Sequence, residues 1–259
     1  MIRAQFTMRA VALQMDTRVD VIIPEDRHDT KSIGDKKYPV LYVLHGMKED
    51  SASWLSLSNL FLLCRDLDLI VVFPSANNSF YVNTTYGMNY YDWIVNELPT
   101  KLHNLLPITD DPKQTFIMGE SMGGYGTMRI ALANPDKFGK VVCLSGGDMG
   151  KRFDFNDPFR GSIFGSKEEY MNSDNNLYNL IEKLKDYKGD LPEFAFYCGT
   201  EDRAYPGCKE LAETLEREVK GVHVEKEFWP GLHNFFFWNQ ANPKALKFFG
   251  FEVEQNDVI

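Results

Sequence analysis

Ser121 lies in "IMGESMGGYGTMRIALANP", where Gly119, Ser121 and Gly123 make a G-x-S-x-G pattern followed by an apolar, alanine-containing run. Glycines two before and two after a serine permit a turn too tight for side chains at those positions, which suits a nucleophile. A serine in an ordinary tight turn can give the same five letters, so its partners decide. A serine hydroxyl is a weak nucleophile at neutral pH and needs a hydrogen-bonded base, itself oriented by a carboxylate. Of five histidines, His28 falls in a polar N-terminal loop, His103 inside an amphipathic helix and His223 at the start of a strand-like run; His45 follows "VLYVL" and serves the loop below it. His233, in "WPGLHNFFFW", stands after the last strand-like run and before the last helix, where the chain order Ser, acid, His places the base. The acid belongs on a loop at the carboxyl end of an intervening strand. Asp202 in "FAFYCGTEDRAYPG" is preferred, with Asp148 in "VVCLSGGDMG", one strand earlier, as its competitor. A tetrahedral intermediate also needs two N–H donors. The backbone of Met122 is one, and Met47, after "VLYVLHG", is the expected second, with Gly46 letting the chain approach.

These residues need a scaffold, and the chain shows one. "YPVLYVLHG", "LDLIVVFPS", "QTFIMGES", "KVVCLSGG" and "PEFAFYCGTED" each read as a buried strand running into a turn, and helix-like segments separate them. That alternation predicts βαβ units, hence an α/β domain with a mostly parallel sheet. "YYDWIVNELPTKLHNLLP" is an amphipathic helix expected to kink at Pro99. "MGGYGTMRIALANP" is a helix stopped by Asn134 and Pro135, and "PGCKELAETLEREVKG" one capped by Gly221. The N-terminal "FTMRAVALQMDTRVDVIIP" reads as two antiparallel strands. One domain over residues 1–259 is expected, with an insertion at 148–191, rich in Asp, Asn, Gly and Phe, forming a partly helical cap over the pocket.

Composition excludes several roles. With 259 residues, 44% hydrophobic, the chain can bury a large core. A formal net charge of -9 and the lack of any basic run argue against nucleic acid as a partner. The N-terminus mixes charges every few residues, unlike a signal peptide, and no segment reaches membrane-spanning length, so a cytoplasmic location without membrane partners is expected. Cys64, Cys143, Cys198 and Cys208 have no metal-ligand spacing and are read as buried, inert thiols. Asn77 and Asn83 match the glycosylation acceptor pattern, which carries no meaning without a secretory route.

The pieces "YPVLYVLHGM", "SASW" (Ser51 to Trp54), "GESMGGYGTMRIAL", "IFGS" with "SDNNLYNL", "CGTEDRAY" and "GLHNFFFW" span nearly the whole chain. Together they resemble the α/β-hydrolase esterases of the esterase D type, which include tributyrin esterases, feruloyl esterases and S-formylglutathione hydrolases. The resemblance implies the α/β-hydrolase fold, with helices on both faces of the sheet. It assigns Ser121, Asp202 and His233 to the triad and Met47 and Met122 to the oxyanion hole, with no cofactor and no metal. "LHGM" is similar to the tributyrin and feruloyl branch. S-formylglutathione hydrolases usually carry Leu-Ser-Gly-Leu followed by Thr and Cys, which "LHGMKED" lacks. The expected function is a serine carboxylesterase for short-chain acyl or aryl esters, acetylated or feruloylated carbohydrates among them. His45, Gly46, Trp54 and Tyr86 are expected to line the pocket for this small-molecule or oligosaccharide ester. S-formylglutathione hydrolase is the nearest alternative. A catalytically inactive binding module is the alternative from another class, and such modules typically lose a triad member. Relatives often self-associate, so a homo-oligomer is among the expectations.

Overall fold

Two N-terminal strands, β1 (Ile2–Ala10) and β2 (Met15–Ile23), pair antiparallel through a short turn. The five apolar runs give β3 (Val40–Leu44), β4 (Ile70–Pro74), β5 (Thr115–Glu120), β6 (Lys140–Leu144) and β7 (Glu193–Gly199), and β8 (Val224–Trp229) closes the series. In space the order is β1-β2-β4-β3-β5-β6-β7-β8, parallel from β4 to β8. The computed structural model describes residues 1–25 and 36–253, so His28 lies outside the described residues.

β3 and β4 are buried along their whole length, which explains why they read as unbroken apolar runs. Successive residues feed opposite cores. Tyr42, Ile117, Val141 and Phe194 face one side, covered by α4 (Leu98–Leu105), α5 (Met122–Ala133), α8 (Leu177–Leu184) and α9 (Tyr205–Glu218). Leu41, Phe116, Met118 and Val142 face the other, under α1 (Ser53–Leu57), α2 (Leu60–Leu63) and α10 (Phe235–Phe249). All four cysteines are free and buried. Among the described residues, no helix is long and apolar enough to cross a membrane.

Two sequence expectations need correction. The irregularity expected at Pro99 is absorbed before it: α3 (Tyr90–Asp92) widens into a π-helical stretch, Trp93–Glu97, and α4 then starts with Pro99 in its first turn, where a missing N–H costs nothing. α9 ends at Glu218 with Val219 in an extended conformation, and Gly221, at φ +85°, serves the turn beyond rather than the cap.

The insertion between β6 and β7 holds α6 (Pro158–Phe164), α7 (Lys167–Met171) and α8. Each starts on a side-chain cap, from Asp157, Ser166 and Asn176, as the Asp/Asn/Ser-rich composition allows. Asp148 belongs to this segment: its carboxylate accepts the Tyr170 hydroxyl at 2.7 Å and the N–H groups of Gly150 and Leu177 at 2.7 and 3.0 Å.

Candidate active site

The chain turns from β5 into α5 at Ser121, whose φ of 55° and ψ of -113° lie outside the regions open to most residues. The flanking glycines make this turn possible. A Cβ on Gly123 would stand 2.1 Å from the Leu44 carbonyl oxygen, and one on Gly119 would stand 2.6 Å from the Gly123 carbonyl. Ser121 thus sits at the N-terminus of α5, where the first N–H groups, that of Met122 among them, lack intrahelical acceptors and the positive dipole end favours an anion.

His233 and Asp202 arrive on neighbouring loops. The Thr200 and Glu201 N–H groups donate to the carbonyls of Trp229 and Gly231, tying the loop after β7 to the loop after β8. His233 Nε2 lies 2.8 Å from Ser121 Oγ, and Nδ1 lies 2.9 and 2.8 Å from the two Asp202 oxygens. Burial alone would raise the Asp202 pKa, but the bonds from His233, from the Ala204 N–H at 2.7 Å and from the Ser145 hydroxyl hold it below its ordinary value. Asp202 therefore stays ionised. Asp148, occupied within the insertion, does not join this group.

Ser145 and Trp238 support the line and were not foreseen. The Trp238 indole N–H donates to Ser145 Oγ at 3.1 Å, and its ring packs edge-on to His233 at 5.2 Å between centroids. The only sequence signal was a small polar residue directly after β6, in "CLSGG".

The loop after β3 forms the facing wall. His45 is buried, with its pKa lowered by that burial, so its ring is neutral. Its Nε2 accepts the Ala76 N–H at 3.0 Å, which leaves the ring proton on Nδ1 to be donated to the Gly46 carbonyl at 2.8 Å. Gly46 in turn rests on Glu120, whose side-chain oxygens would stand 2.5 Å from a Gly46 Cβ. Glu120 is fully buried beside Glu49. Burial, then the Glu49 carboxyl, push its pKa well above the carboxylate range, and burial raises Glu49 as well.

A pocket of about 670 Å³ opens over Ser121 and His233, and Gly46, Met47 and Met122 line it. His45, Trp54 and Tyr86 do not. His45 is 1% exposed and holds the loop from behind; Trp54 is buried, donating its indole N–H to the Leu44 carbonyl at 3.3 Å; Tyr86 is 56% exposed and is not one of the pocket's walls. Each looked like a pocket residue because it neighbours a pocket loop in sequence. The aromatic walls come instead from Phe80, Phe153, Phe235 and Trp238.

An eight-stranded, mostly parallel sheet with a strained serine after β5 and a carboxylate–imidazole pair on the loops after β7 and β8 defines an α/β-hydrolase. The chain belongs to the Esterase family ("Putative esterase"), whose model matches residues 10–182. It is 28% identical to an acetyl esterase of Caldicellulosiruptor saccharolyticus over 257 residues, covering 94% of this chain and 96% of that one. Its fold is similar to a substrate-bound structure of the fluorophosphonate-binding serine hydrolase F of Staphylococcus aureus, with a TM-score of 0.87 and 27% identity over 96% and 98% of the two chains. It is also similar to S-formylglutathione hydrolase of the same organism, with a TM-score of 0.85, the same identity and the same coverage. The protein is a carboxylic ester hydrolase of the serine type.

Proposed function

We propose that this protein hydrolyses short-chain acyl or aryl esters, acetylated or feruloylated carbohydrates among them, through a Ser121–His233–Asp202 triad and an acyl-enzyme. The observation that carries the reading is the continuous hydrogen-bonded line from Asp202 through His233 to Ser121 Oγ. Ser121 attacks the ester carbonyl as His233 Nε2 takes its proton, and the imidazolium then protonates the leaving alcohol. Water, activated by the same nitrogen, releases the acid. Asp202 stays ionised throughout, holding the proton on Nδ1 and stabilising the imidazolium. The N–H groups of Met47 and Met122 receive the oxyanion. The acetyl esterase relative supports a short acyl group.

A fluorophosphonate probe tests the mechanism. It should label the wild type and spare Ser121→Ala; equal labelling of the two proteins rejects the triad. A panel of p-nitrophenyl esters of increasing acyl length, with methyl ferulate, acetylated xylan and S-formylglutathione beside them, tests the substrate. Turnover of S-formylglutathione orders of magnitude above every oxygen ester would replace this reading with a thioesterase.

A further inference from the structure

The pocket over Ser121 is lined by four permanent cations, Lys48, Arg152, Arg160 and Arg203, in a chain whose formal net charge is -9. They come from separate places: the loop after β3, the turn after β6, helix α6 and the residue next to Asp202. Elsewhere on the surface, many bases take carboxylate partners. Lys151, adjacent to Arg152, lies 2.5 Å from Glu210, and Lys244 lies 2.6 Å from Glu227. Among the described residues, no carboxylate oxygen stands within ion-pair distance of Arg152, Arg160 or Arg203. The acidic groups that line the same pocket are Glu49 and Glu120, and Glu120 is buried beneath Gly46. Three guanidiniums around one cavity repel each other, and none of the three has a direct ion-pair partner among the described residues.

Arg160 is also held in place. Its guanidinium lies 4.8 Å from the centre of the Phe153 ring, and Phe153 packs edge-on to Phe80 at 5.1 Å, both rings being walls of the pocket. A guanidinium fixed on an aromatic face keeps its planar fork of donors for carboxylate or phosphate oxygens.

We propose that Arg152, Arg160 and Arg203 form an anion-recognition wall, so that the preferred substrates are esters carrying a carboxylate or phosphate group away from the scissile carbonyl. The proposal rests on the esterase reading of Ser121 and narrows its substrate class.

Matched ester pairs test it. 4-Acetoxybenzoate against its methyl ester, and 4-acetoxyphenyl phosphate against 4-acetoxyanisole, place the charge on the alcohol side; p-nitrophenyl hemiglutarate against p-nitrophenyl valerate places it on the acyl side. In at least one pair the anionic member should show a kcat/KM about tenfold higher, mainly through KM, and the ratio should shrink as ionic strength rises from roughly 0.02 to 0.5 M. The ratio should approach one in the triple variant Arg152→Ala, Arg160→Ala, Arg203→Ala. Because both esters are measured on the same protein, partial loss of folded enzyme leaves the ratio intact, and the single variant Arg160→Gln gives a second reading if the triple fails to fold. Hydrolysis of the neutral esters with no anionic advantage in any pair, or an advantage that survives the substitutions, overturns the anion wall and leaves the esterase reading standing. No hydrolysis of any member, with no fluorophosphonate labelling, rejects the esterase reading and the wall with it.

Discussion

Glu120, the residue before Ser121, and Glu49, on the loop that faces it, bring their carboxyls together beneath Gly46. Neither Glu120 oxygen receives a well-formed hydrogen bond from a donor of the described residues. Two carboxylates are both acceptors, so they bond only if one keeps its proton. The two carboxyls form the floor under the loop after β3.

The pair makes stability depend on pH in a definite direction. Glu120 has a folded pKa well above its ordinary 4.5, so the folded state holds a proton that the unfolded chain gives up. Stability from this group is complete below that ordinary value and falls as pH rises toward the folded pKa. Glu120→Gln keeps the shape without the titration. Its melting temperature should therefore gain on the wild type steadily from pH 5 to pH 8, and a pH-independent difference would contradict a Glu120 that stays protonated in the fold.

Gly46→Ala should hurt more than Met47→Ala. The new Cβ meets the Glu120 oxygens at 2.5 Å and must displace the loop, whereas Met47 is expected to act through its backbone N–H. Losing one oxyanion donor costs about 3 kcal/mol, or roughly a hundredfold in kcat. Met47→Ala should stay within about threefold, since the donor is retained. Steady-state kinetics on p-nitrophenyl acetate, with circular dichroism to check folding, separates the two.

Asp202→Asn should leave the fold intact and lower kcat by about 10⁴-fold, because an amide beside Nδ1 favours the wrong tautomer of His233. Asp148→Asn should instead act on stability, since its carboxylate accepts three hydrogen bonds within the insertion. If kcat fell equally in both variants at matched folding, Asp202 would not be the triad acid.

Ser145→Ala removes the acceptor of the buried Trp238 N–H and one donor to Asp202. An unpartnered buried donor costs about 1–3 kcal/mol, so chemical denaturation should show a loss of that size. kcat should also fall, as Asp202 loses one of the bonds that fix it beside His233. A stability loss with kcat unchanged would make Ser145 a packing residue alone.

The strands and the turn at Ser121 were legible because their causes are local. Runs such as "VLYVL" and "LIVVFP" can only be buried on both faces, and glycines at 119 and 123 announce a backbone approach too close for a Cβ. Chain order then picked out His233 and ranked Asp202 over Asp148, and the structure brings Asp202, not Asp148, to His233. The misplaced residues failed for one shared reason. His45, Trp54 and Tyr86 are neighbours of pocket loops along the chain, and adjacency does not say which side of a loop faces the cavity.

By itself, then, the sequence determined the α/β alternation, the strained serine and the order of its partners, since each is written in spacing that the backbone must obey. The tertiary structure alone decided what converges from a distance. Ser121 and His233 are 112 residues apart in the chain yet in hydrogen-bond contact at 2.8 Å, Ser145 reaches Trp238, Glu120 meets Glu49, and three arginines from separate segments line one pocket. Such meetings depend on how the loops at the carboxyl edge of the sheet fold over one another, a relation between segments that no single stretch of chain encodes.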